Sequence, residues 1–324
     1  MRSALRKVRL PAALLLLVAV LTTGCGSAGS TGSAASPAAS SVAGQTPIPG
    51  LATASDGQAP ARTTGAAGAS GELGGLATMR LPQAQSNEAF QSEVLSTGTP
   101  SAAEATAYIT AVVEDADQTW SQIFADSGLA EPTVSYAIIQ PGSTGISSEC
   151  TGGQPIPSDF NNAFYCWGDA DPGTGYVGAL YFPVETFMQM WNGQIFGRDS
   201  LQAGDFGAAV VIGHEFGHHI QAELQEQLQL VPIAAANGAK LKEGELIADC
   251  FAGVWAYSAY SRSRLDETDV QEGIEAIAAI GDLEEGGDDP HGTAAERVDA
   301  FYAGYREGRP ATCVQLYWPG VTVN

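Results

Sequence analysis

His214-Glu215-Phe216-Gly217-His218-His219 decides how this chain is read. Three of the four histidines fall in these six residues. In an α-helix, positions four apart share a face, so His214 and His218 offer two imidazole nitrogens to one cation. Glu215 lies about 100° round the helix from His214. That puts a carboxylate beside the cation without making it a ligand, the place for a base that takes a proton from water. His219, one residue past His218, points away from both, and a packing or hydrogen-bonding role is expected for it. Gly213 and Gly217 each cost about 1 kcal/mol in a helix relative to alanine. The expected compensation is close approach, either of another helix or of a bound backbone.

Hydrolytic zinc sites use three protein ligands and leave one position open. The remaining histidine, His291, lies far along the chain. The stronger third ligand is Glu245 in Glu245-Leu246-Ile247-Ala248-Asp249, which follows the first motif after a stretch long enough for the chain to reverse. Glu245 and Asp249 are four apart and face the same way in a helix. Leu246, Ile247, Ala248, Phe251, Ala252 and Trp255 make that helix largely buried, and buried carboxylates need partners. Glu245 is therefore expected to bind Zn2+, and Asp249 to accept a hydrogen bond from a ligand histidine and so fix its tautomer.

Around these motifs the chain reads as a helix-rich α+β domain over 79–324. Tyr108, Ile109, Val112, Val113, Trp120, Ile123 and Phe124 recur at helical spacing over 103–127, with Trp120 as a core anchor. Thr133 to Ile139 and Tyr176 to Phe182 read as strands, and a short helix follows Pro183. Helices are expected over 205–227, 243–261, 267–280 and 293–308. The last opens with a capping box, Thr293-Ala294-Ala295-Glu296.

The N-terminal part is different. Arg2, Arg6, Lys7 and Arg9 precede an apolar run from Leu10 to Leu21 that is too short to span a bilayer, so 1–24 reads as a signal peptide. Cys25 follows Gly24 and resembles the lipid-bearing cysteine of bacterial lipoproteins, although Thr22 stands where that pattern prefers Leu. Residues 26–78 are rich in Gly, Ala, Ser, Thr and Pro and too poor in large apolar side chains to offset ordering entropy. They read as a tether between the anchor and the domain. The expected location is the outer face of the cell membrane through lipidated Cys25, or the medium if Cys25 is unmodified. The formal net charge of −22 becomes −26 once the four basic residues of 1–24 are removed. Such acidity argues against nucleic acid or an anionic lipid surface as partner.

Beyond the two helical motifs, His291-Gly292-Thr293, Glu296-Arg297-Val298 and the cysteines Cys150 and Cys166 complete a set that resembles the neutral zinc metallopeptidase family of bacteria. The resemblance spans roughly residues 100–315. It implies a zincin-like fold with a glutamate as third ligand, and peptide-bond hydrolysis at His214, His218 and Glu245 with Glu215 as base. The resemblance does not itself name a substrate; a peptide or protein substrate is expected from the reaction. Thermolysin-like enzymes use a later histidine to stabilise the oxyanion. His291, in a Gly/Asp loop before a capped helix, is the candidate here. Tyr165 is a further candidate oxyanion donor, and Arg297 is read as a structural ion-pair partner. Setting Cys25 aside, four cysteines allow three connectivities. Cys150–Cys166 and Cys250–Cys313 are favoured, and a cysteine metal site lacks a close C-x-x-C spacing. Two rival readings stand beside peptidase activity: a non-catalytic, metal-stabilised envelope lipoprotein, and zinc hydrolysis of a non-peptide amide.

Overall fold

Ser101 and Glu104 form a reciprocal capping box at the start of α1, Ala102–Asp126. Its apolar stripe of Ile109, Val113, Trp120, Ile123 and Phe124 is fully buried. The structure, a computed structural model, describes residues 73–81 and 99–321, apart from 144, 172, 196–197, 200–203, 234–241, 263, 266 and 283–290. The expected signal peptide, Cys25 and the tether up to residue 72 lie outside the described residues. A single 3-10 turn at Gly74–Ala77 buries Leu76 beside the buried Leu73. The packed chain thus reaches upstream of Met79, the start expected from composition.

The strand content is small. β1 (Ser135–Ile139), β2 (Ile146–Ser147), β3 (Pro155–Ile156), β4 (Phe164–Cys166) and β5 (Ala179–Pro183) precede α2, Val184–Trp191. A short pair, β6 (Gln194–Ile195) and β7 (Arg198–Asp199), follows. β5 lies between β1, parallel to it, and β4, antiparallel to it, so β4 is an edge strand. Both longer strands are shorter at their N-terminal ends than the sequence implies. The 3-residue β4 was invisible to pattern reading, because an alternating signal needs a longer run.

The four longer helices expected beyond α2 are present: α3 (Asp205–Gln227), α4 (Lys242–Ser261), α5 (Glu267–Ala279) and α6 (Ala294–Glu307). α6 has the expected Thr293/Glu296 capping box and ends on left-handed Gly308 at φ 56°. One helix beyond the expectation, α7 (Pro310–Tyr317), starts with Pro310 in its first turn. The architecture is a helix-rich α+β domain. Among the described residues no helix is long and apolar enough to cross a membrane. Two disulfides are present, Cys150–Cys166 and Cys250–Cys313, the pairing that the sequence favours. The first ties the turn at Glu149–Thr151 to the end of β4. The second ties α4 to α7.

α3 is buried on nearly every side, and its glycines let α4 approach. A Cβ on Gly217 would sit 2.5 Å from the Ala248 carbonyl oxygen, and one on Gly213 2.8 Å from the Trp255 ring. The glycines therefore serve helix–helix contact. Gly217→Ala forces α3 and α4 apart, an overpacking of about 1–3 kcal/mol. A fall in melting temperature of roughly 3–10 °C is expected by thermal denaturation; an unchanged melting temperature would show that the contact is slack.

Candidate active site

One turn of α3 and the first turns of α4 meet across that glycine contact. His214 and His218 project from α3, and Glu245 faces them from α4. Glu245 Oε2 is 3.4 Å from His214 Nε2 and Oε1 is 3.5 Å from His218 Nε2. Ligand atoms of the three residues all lie within 4.8 Å of one another. The other such group among the described residues, Asp205, Asp269 and Glu272, contains no imidazole and lines no part of this cleft. Two imidazoles and a carboxylate form a donor set suited to zinc.

Buried charge fixes the imidazole orientation. Asp249, wholly buried, accepts from His214 Nδ1 at 2.8 Å. That proton on Nδ1 leaves Nε2 facing Glu245 and the cleft. Arg297, 2% exposed, braces Asp249 from behind. Its Nε donates to Oδ2 at 2.7 Å and its Nη2 to Oδ1 at 2.9 Å. Nη2 also lies 3.2 Å from His214 Nδ1. Both nitrogens carry protons there, so they converge on Asp249 and do not bond each other. Nη1 donates to the Ile280 carbonyl at 3.2 Å.

The titration behaviour follows from this crowding. Burial alone would lower the His214 imidazole, but the Asp249 charge and hydrogen bond, with Glu245, push it up to about 10. Two carboxylates thus draw positive charge onto His214. A divalent cation satisfies the same demand by replacing the Nε2 proton. Burial pushes His218 down to about 4, leaving its ring neutral with a lone pair to give. Burial acts to raise Glu245, but His218, His214 and Arg297 hold it well below the usual carboxylate range.

Glu215 stands beside this group without joining it. Its Oε2 accepts the backbone N–H of Tyr165 in β4 at 2.8 Å. Burial pushes the carboxyl up to about 7, with neighbouring Glu245 adding to the rise. A carboxylate of that kind accepts and returns a proton near neutral pH. The cleft has a volume of about 360 Å3 and is lined by His214, Glu215, His218, Glu245, Arg297 and His291, with Phe164, Val211 and Ile280 as apolar walls.

His291, read only from a loop, does line this cleft. It is held by Asp282, which motif reading missed. Asp282 Oδ2 accepts the backbone N–H groups of His291 at 2.7 Å and Gly292 at 2.9 Å. Its Oδ1 is 3.4 Å from His291 Nδ1, and its own N–H donates to the Gly292 carbonyl at 2.8 Å. Tyr165 is the correction. Its hydroxyl donates to the Val177 carbonyl, so its contribution to the site is the backbone N–H on Glu215. His219 is buried between Tyr165 and Phe216, with ring centroids 5.8 and 5.9 Å away. Burial pushes it down to about 3, and it stays out of the donor group.

Known proteins resemble this chain over most of its length. Residues 67–316 match the family described as "Putative neutral zinc metallopeptidase". The uncharacterised protein YpfJ of Escherichia coli strain K12 is 32% identical over 231 residues, covering 66% of this chain and 72% of that protein. An uncharacterised protein of Mycobacterium bovis is 34% identical over 171 residues, covering 44% of this chain and 56% of that protein. No solved structure matches the chain. On the family match and on its H-E-x-x-H helix, the chain belongs to the neutral zinc metallopeptidase family.

Proposed function

We propose that this protein is an exported zinc peptidase in which His214, His218 and Glu245 hold the metal and Glu215 is the base. The observation that carries the reading is the placement of Glu215: buried, fixed by the Tyr165 N–H, beside the three donors and outside their set. A purely structural metal site has no use for such a carboxylate, which counts against the non-catalytic lipoprotein. Zinc, when bound, supplies Lewis acidity to the water and to the scissile carbonyl.

Glu215 takes a proton from the water as its oxygen attacks the carbonyl carbon. It then delivers that proton to the amine nitrogen as the C–N bond breaks. His291, braced by Asp282, donates to the oxyanion. Asp249 and Arg297 keep His214 in the tautomer that leaves Nε2 free. β4 is an edge strand, and an extended peptide laid along it adds a strand beside Glu215. Export and anchoring belong to the same proposal: Cys25 carries lipid, residues 26–72 tether the domain, and the two disulfides suit an oxidising compartment.

Incubation with an unstructured casein-like substrate is the test. Cleavage is expected, loss of it with a chelator, and recovery on adding zinc. Intact casein under all conditions would sink the peptidase reading. Release of amines from cell-wall amides alone would move it to the non-peptide rival.

A further inference from the structure

We infer that the cleft selects cationic peptides, those in which Lys or Arg flanks the bond to be cut, and disfavours acidic ones. This rests on the peptidase reading and concerns the substrate class of the same site. The first observation is the state of Arg297, the only guanidinium among the described residues that lines the cleft. Arg297 spends Nε and Nη2 on Asp249 and Nη1 on the Ile280 carbonyl, and it is 2% exposed. Held by these bonds, with Nη2 also 3.8 Å from Glu245 Oε2, and almost wholly buried, it is not presented to a substrate carboxylate.

The second observation is the balance of the remaining charges. Glu215, Glu245 and Asp282 bring three carboxyl groups to the cleft wall, against one guanidinium turned onto Asp249 behind it. Of these, Asp282 has a side chain that is 23% exposed and lies 3.4 Å from His291 Nδ1.

The third is the surrounding field. From residue 99 onward, six Lys or Arg side chains are described, and none besides Arg297 lines the cleft. Lys242 pairs with Glu296 at 2.7 Å, and Arg262 and Arg264 both pair with Asp115 at 2.6 and 3.2 Å. Arg309 approaches Glu307 at 4.0 Å, and Arg306 lies over the Tyr302 ring. These six cations are thus engaged locally, while the chain as a whole carries −22. A negative field of this kind concentrates cations at a low-dielectric cleft and repels anions.

The experiment uses three peptides of one sequence that differ only in the residues flanking a single cleavable bond: Lys, Gln or Glu. Wild-type enzyme is assayed for kcat/KM, and zinc-loaded Glu215→Gln protein for binding by fluorescence anisotropy. The Lys peptide is expected to exceed the Glu peptide about tenfold or more in both at low salt. Raising ionic strength from about 0.01 to about 1 M shortens the screening length from about 30 to about 3 Å and should collapse the ratio. Equal values for the three peptides, or a preference for Glu, would overturn the inference while leaving the peptidase reading intact. If no peptide is cut, the peptidase reading fails, and the binding ratio alone decides the charge preference.

Discussion

Replacing Glu215 with glutamine is expected to lower the rate of peptide cleavage by about 10²–10⁴-fold while the zinc content stays that of the wild type. The substitution keeps the shape and still accepts the Tyr165 N–H that now meets Oε2 at 2.8 Å. It removes only the ability to take and return a proton. A structural carboxylate would respond differently: glutamine would leave turnover close to wild type. Steady-state kinetics with elemental analysis of the same preparation reads both quantities. Full activity in the variant would remove Glu215 from the mechanism.

The second large effect is expected at Arg297. Replacing it with methionine leaves the wholly buried Asp249 with only His214 as partner. Breaking a buried ion pair on one side costs about 3–5 kcal/mol, or roughly 10 °C in melting temperature for a domain of this size. The same change should weaken zinc binding about 10–100-fold, because the carboxylate that orients His214 loses its brace. Replacing Asp249 and Arg297 together with apolar residues should recover much of the stability and none of the zinc affinity. Both readouts belong on metal-free protein followed by zinc titration. A melting temperature within about 2 °C of wild type, against the roughly 10 °C expected, would show that the pair is solvated and dispensable.

These two residues also mark how far the sequence could be read. The donor group was legible because a helix repeats every 3.6 residues. His214 with His218, and Glu245 with Asp249, each had to share a face, and apolar neighbours had to bury the second pair. The long helices were legible for the same reason, and the Thr293/Glu296 box marked where α6 begins. Arg297 was read only as an ion-pair partner of unstated address. Its burial follows from the way α6 packs on α4, where a Cβ on Gly304 would lie 1.9 Å from the Cys250 carbonyl oxygen.

Asp282 and the Tyr165 N–H were beyond sequence reading for a different reason. Asp282 acts through backbone donors at His291 and Gly292, brought to it by a bridge to Thr293 across the 283–290 stretch. Tyr165 acts through its main chain, which every residue possesses. Side-chain patterns carry no record of either. The hydroxyl of Tyr165 looked the more useful group, yet it is engaged by Val177.

In the proposed site one zinc ion is held jointly by two helices, α3 and α4. Purified wild-type protein and Glu245→Ala protein should be compared for zinc by elemental analysis, after equal exposure to a weak chelator. One zinc per chain is expected in the wild type and almost none in the variant, because two imidazoles from α3 alone leave the site one ligand short. Equal zinc in the two proteins, or none in the wild type, would contradict it.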